Sequence, residues 1–139
     1  MSIFARLFNK KQEVELNDPV FGRITFEQST WTHIPIGRAD GFMITVAAPE
    51  TGPTAEQRGF FQSVRSRLSE LEQRARDYMR SRVDQTVEVS RLSAYSVEIG
   101  TTEETGRQEF VLEMSDQDAI LVHRVAFRAG KPVDYGCDD

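Results

Sequence analysis

The chain has 139 residues, a formal net charge of −5, 39% hydrophobic and 28% charged residues. That length suits one domain around one core, and no apolar run approaches the length needed to span a bilayer. Cys137 is the only cysteine, which excludes an internal disulfide and a thiolate metal cluster.

The charge is unevenly placed. Residues 1–84 carry 12 Lys/Arg and 11 Asp/Glu, whereas residues 85–139 carry 5 and 11. An acidic second half repels phosphate backbones, which argues against nucleic acid as a partner. It suits a basic protein partner, or simply keeps the chain soluble.

Met1 to Lys11 carries an apolar stretch that is short and broken by Arg6, with a lysine pair after it and no small-residue cleavage site. That is not the pattern of a signal peptide, so a cytoplasmic, bacterial-type protein without membrane insertion is expected. Residues 1–17 read as a tail. Ile3, Phe4, Leu7 and Phe8 are spaced for one face of a short helix, which would serve as a membrane-surface or partner-docking helix, or else the segment packs on its own domain or is mobile.

Asp18-Pro19 marks an entry turn. Val20 to Glu27 alternates as a half-buried strand. Trp31 to Ile36 reads as a second strand, with Pro35 favouring an edge or a bulge. The Asp40-Gly41 pair is a hairpin signal, and Phe42, Ile44 and Val46 share a face of a third strand. From Pro53 to Arg82 the pattern predicts one long amphipathic helix. Its apolar stripe is Phe61, Val64, Leu68, Leu71, Ala75 and Tyr78. Thr54 and Gln57 form a possible capping box at its start. Glu70–Arg74 and Glu72–Arg76 are i,i+4 pairs in the favourable order. Beyond Asp84 come a strand at Ala94–Ile99, a polar loop over Gly100–Gly106 and a strand at Glu109–Met114. A strand at Ile120–Phe127 is apolar on both faces, and a last strand at Val133–Tyr135 is set at an edge by Pro132. The expected fold is α+β: an antiparallel sheet of five to seven strands with one long helix on a face, within a domain over residues 18–139.

Chemistry-bearing residues are sparse. His33 and His123 are the only histidines. His123 shares a strand face with Leu121, Val125 and Phe127, which suits a hydrogen-bonded core residue. His33 shares a face with Trp31, and the two could form a small recognition patch, or Trp31 could plug the core. Their spacing gives no support for a metal site. Cys137 stands among carboxylates, the opposite of an activating setting. No phosphate loop, nucleophile elbow or zinc-protease helix is present, so no catalytic residue and no cofactor are expected. Arg58, Arg65 and Arg76 on one flank of the helix stripe, and Arg67 and Arg74 on the other, read as stems covering the margins of a core. Glu98, Glu103, Glu104 and Glu109 form an acidic cluster on strand ends and the loop between them. Glu103 and Glu104 are the residues expected to steer a basic partner.

Asp18-Pro19-Val20-Phe21-Gly22, followed by Ile24 and Trp31, resembles the opening of a family of uncharacterised bacterial domains of unknown function. Leu121-Val122-His123-Arg124-Val125 and Gly130-Lys131-Pro132-Val133 resemble the ending of that family. The similarity spans roughly residues 18–136. It implies no activity and no catalytic residues, but some similar small domains occur beside secreted toxins and look like immunity proteins. The expectation is a non-catalytic protein-binding module of immunity-like type. The alternatives are a homo-oligomeric structural or regulatory domain, with a homodimer its simplest form, and a small enzyme.

Overall fold

The computed structural model describes residues 14–27, 30–33, 42–116 and 121–138, without the side chains of 27 and 30–33. The expectations that fall on residues 1–13, 34–41 and 117–120 lie outside that description.

The structure is α+β, built on one eight-stranded sheet whose spatial order follows the chain. The strands are β1 (Val14–Asp18), β2 (Gly22–Glu27), β3 (Thr30–His33), β4 (Met43–Ala47), β5 (Ser93–Ile99), β6 (Glu109–Ser115), β7 (Val122–Arg128) and β8 (Lys131–Asp138). Three expectations are corrected. The ladder reaches back into the segment read as a tail: β1 pairs with β2 from Val14↔Phe26 to Asp18↔Gly22, which raises the strand count above seven. The sheet is not wholly antiparallel. β4 and β5 run parallel, Ile44 opposite Val97 and Val46 opposite Ile99, because the helices between them supply the long crossover that a parallel pair requires. β3 is not an edge, since it pairs with both β2 and β4. Its described span is Thr30–His33, and Pro35 lies outside the described residues. The edges are β1 and β8.

A fourth difference concerns the helix. It is two helices of 12 residues each, α1 (Ala55–Ser66) and α2 (Leu68–Met79), broken at Arg67 with φ −111° and ψ 15°. The Ser66 hydroxyl donates to the Ser63 carbonyl at 2.9 Å, a local bond of the kind that competes with the helical ladder and bends helices. Phe61, Val64, Leu71 and Ala75 are buried as the stripe requires. Leu68 and Tyr78 are only partly buried, and Met79 takes the last fully buried place. A periodicity count assumes an unbroken helix, so a step at Arg67 shifts the stripe after it.

The local signals at the start of α1 hold. Thr54 caps it, accepting from the Gln57 N–H, while the Gln57 amide oxygen accepts from the Thr54 N–H at 2.9 Å. Gln57 is itself 1% exposed. Its amide nitrogen donates to the Ala47 carbonyl at 2.7 Å and to the Gly100 carbonyl at 2.8 Å. One side chain thus caps the helix and ties together the ends of the two parallel strands.

Both helices pack on one face of the sheet. Phe61 meets Phe21 with ring centroids 5.0 Å apart, Phe60 meets Phe110 at 5.8 Å, and Phe110 stacks on Phe127 at 4.8 Å. The core on this face includes Ile24, Val46, Val97, Leu112 and Val125. Four of the five flanking arginines bond within the fold. Arg58 bonds Asp18, Arg74 reaches Glu70 and the Gly130 carbonyl, Arg76 reaches the Leu92 carbonyl, and Arg67 pairs with Glu70. The pairs Glu70–Arg74 at 2.7 Å and Glu72–Arg76 at 3.5 Å form as their spacing predicts. No helix among the described residues is long and apolar enough to cross a membrane.

Candidate functional site

The opening motif has a structural explanation. One carboxylate oxygen of Asp18 accepts from the Val20 and Phe21 N–H groups, each at 2.9 Å, and the other accepts from Arg58 Nε at 2.7 Å. Gly22 follows with φ 78°, a conformation that favours glycine. The motif therefore closes the β1–β2 turn and pins it to α1 through Arg58 and Phe21. It binds the chain to itself and leaves no group free for a ligand.

His123 is buried at 2% exposure, as expected from its strand face. Its Nδ1 lies 2.7 Å from the Tyr135 hydroxyl on β8, and the two rings stack. Burial lowers its pKa below the ordinary value, so the ring is neutral at physiological pH. Cys137 pairs with it across the ladder and is exposed on the edge strand. Among the described residues no group of three or more His, Cys, Asp or Glu could hold a metal ion.

Of the residues singled out for binding, Trp31 and His33 stand opposite Val46 and Ile44 in the β3–β4 ladder, and their side chains lie outside the description. Glu103 and Glu104 are not in a loop. They belong to a short helix, α3 (Thr102–Gly106). Glu104 closes a capping box: its carboxylate accepts from the Thr101 N–H at 3.0 Å and packs where a Cβ on Gly100 would stand. Glu103 is exposed and pairs with Arg107 at 3.1 Å. The two glutamates therefore separate on substitution. Glu104→Ala should cost about 0.5–2 kcal/mol, the worth of a helix cap, while Glu103→Ala should stay within about 0.5 kcal/mol. Paired thermal melts measure both. A charge reversal of both at once would confound binding with the loss of a cap.

The feature that sequence reasoning missed lies on the other face of the sheet, opposite α1 and α2. Glu113 on β6 points there and is nevertheless 5% exposed. Its carboxylate accepts from the Ser96 hydroxyl at 3.0 Å and from the Tyr95 hydroxyl at 3.5 Å. Arg124 on β7, opposite it in the ladder, closes to 3.2 Å. A register shift between Ala94 and Ser96 marks a bulge at Tyr95 and re-aims that side chain. Arg124 also reaches Glu98 at 3.6 Å and Asp138 at 3.0 Å. Three carboxylates from three strands thus converge on one guanidinium. Burial and the neighbouring Glu113 charge push Glu98 above the usual carboxylate range, and Arg124 offsets this only in part. Burial and the same Glu113 charge raise the Tyr95 phenol.

Toward the far end of β6 on this face is a cleft of about 280 Å³. Glu98, Glu104, Glu109 and Arg128 supply its charges, and Val111, Ala126 and Val133 its apolar wall. Arg107 lowers the Glu109 carboxyl below its ordinary value, with Arg128 adding to the effect. A larger hollow of about 420 Å³ lies between Arg80 and Ser90, but its one carboxylate, Asp84, is turned inward on Thr86. The sequence signal for the β-face site was the alternation Ser96, Glu98 on β5 and Glu109, Val111, Glu113 on β6. Polar residues at that spacing also suit an ordinary solvent face, so the alternation alone does not single out the cluster. No family model, curated protein or solved structure compared with the chain matches it.

Proposed function

We propose that the protein is a non-catalytic binding module that takes a basic protein partner on the sheet face opposite α1 and α2. One observation carries the reading. Glu98, Glu113 and Asp138 share the single cation Arg124, which leaves carboxylate charge for a partner to neutralise. The cluster sits in the acidic half of the chain, where 11 acids face 5 bases. Its support comes from rigid strands, the setting in which a recognition surface is held in place at least entropic cost. The family resemblance of the opening and closing motifs, with its immunity-like members, points the same way by association.

Self-assembly through the exposed edge is the weaker reading. β8 carries Lys131, Pro132, Asp134 and Asp138, with a register shift opposite Ala126/Phe127. Charge, proline and bulge are the devices that oppose edge-to-edge pairing.

The test uses the full chain, immobilised at low salt against a lysate of its source organism, beside a Glu98→Lys variant whose fold is verified by circular dichroism. A protein of basic isoelectric point should be held by the parent, released by salt and lost on Glu98→Lys. Retained proteins that ignore both salt and the substitution would refute the reading.

A further inference from the structure

The cleft beside Glu98 has a composition that the cluster alone does not explain. Its charged lining is three glutamates against one arginine, and its remaining wall is apolar. Each glutamate has a different degree of compensation. Glu109 is matched by Arg107 at 2.9 Å and Arg128 at 2.8 Å. Glu104 spends its carboxylate on the cap of α3. Among the described residues Glu98 has only the guanidinium that Glu113 and Asp138 also use. Beside Glu98 stand Val111, its partner in the β5–β6 ladder, and Ala126, which faces Val111 across β6–β7. Val133 forms a rim and is 51% exposed. A cleft of about 280 Å³ lies just under the size of a drug-sized ligand pocket and has room for one side chain.

We infer that this cleft is an anchor pocket for a cationic side chain, arginine or lysine, projected by a protein partner. The inference rests on the reading of the face opposite α1 and α2 as a docking surface. The aliphatic stem lies along Val111, Ala126 and Val133 while the charged head meets Glu98, the arrangement in which long cationic side chains bury their stems and keep their heads paired. An anionic guest would meet Glu98 and Glu104 without a free cation to answer it, because Arg128 is engaged by Glu109. A purely apolar guest would desolvate the Glu98 carboxylate and leave it only its share of the Arg124 guanidinium.

The experiment titrates the isotopically labelled full chain with N-acetyl-arginine methylamide and its lysine counterpart, using N-acetyl-norleucine methylamide as the neutral control. The cationic probes should shift the backbone amide signals of Val111, Ala126 and Val133, with the norleucine probe at least several-fold weaker. Glu98→Gln should weaken the cationic probes by about fivefold, the scale of a partly exposed ion pair. Val133→Lys, at an exposed rim position, should weaken them by placing a competing ammonium there, and it serves if Glu98→Gln disturbs the fold. Equal shifts from the norleucine probe, no shifts, or equal affinity in both variants would overturn the inference. If the probes fail while a basic partner is still captured in a Glu98-dependent way, the pocket is refuted and the docking face stands. If the probes bind while no basic partner is captured, the partner reading alone is refuted.

Discussion

Replacing Phe61 with alanine should destabilise the protein by about 3–5 kcal/mol, the cost of deleting a fully buried aromatic ring. Phe61 is 1% exposed and lies against Phe21, so the cavity would open between α1 and the β1–β2 turn. Leu68→Ala should cost clearly less, because Leu68 is only partly buried beside the break at Arg67. Urea denaturation of the two variants against the parent measures the contrast. Equal losses would mean that the helix runs through Arg67 without a step and that its stripe is continuous.

Asp18→Ala should cost about 2–4 kcal/mol, because it strands two backbone N–H groups and the Arg58 guanidinium, and each buried donor left unpaired is worth roughly 1–3 kcal/mol. Arg58 is partly exposed and can turn to water, which keeps the total below the simple sum. Asp18→Asn keeps an acceptor for the turn and should cost less than Asp18→Ala. The effect depends on pH with a definite sign. Burial pushes the Asp18 carboxyl up, but the Phe21 and Val20 N–H groups and Arg58 outweigh it and leave the group below its ordinary value of 3.8. A depressed folded-state pKa means the contribution is fully present above the unfolded value and is lost as pH falls through the folded one. The gap between parent and Asp18→Ala should therefore be constant near neutrality and close below about pH 4. A gap that persists unchanged into stronger acid would show that the carboxylate is not what holds the turn.

Local signals were legible in the sequence where the physics is local. The Thr54–Gln57 cap, the two i,i+4 ion pairs, the burial of His123 and the edge position of the strand after Pro132 each depend on residues close in the chain or on a period of two. What the sequence hid is of longer range. The parallel β4–β5 pair depends on where the crossover lands. The strand at Val14–Asp18 has too little alternation to stand out from a polar segment. The break at Arg67 follows from a serine hydroxyl choosing a carbonyl, which periodicity does not register. The cluster around Arg124 needs Glu98, Glu113 and Asp138, spread over forty positions of sequence, to meet through strand register. Glu103 and Glu104 drew attention because they are adjacent in sequence, yet one of them is a helix cap.

Equilibrium denaturation of Glu98→Gln against the parent at neutral pH tests most directly whether the sheet face opposite α1 and α2 is built for a partner rather than for the fold. The Glu98 carboxyl is pushed above its ordinary value by burial first and by the Glu113 charge second. A raised folded-state pKa in an acid means that the ionised form is held at a cost, fully incurred once pH has risen past the folded value. A charge held at a cost to stability is one that the fold itself does not account for. Removing the charge should leave the denaturation midpoint at or above that of the parent. A midpoint that falls well below the parent's would show that Glu98 holds the sheet together through Arg124, and would contradict the docking face.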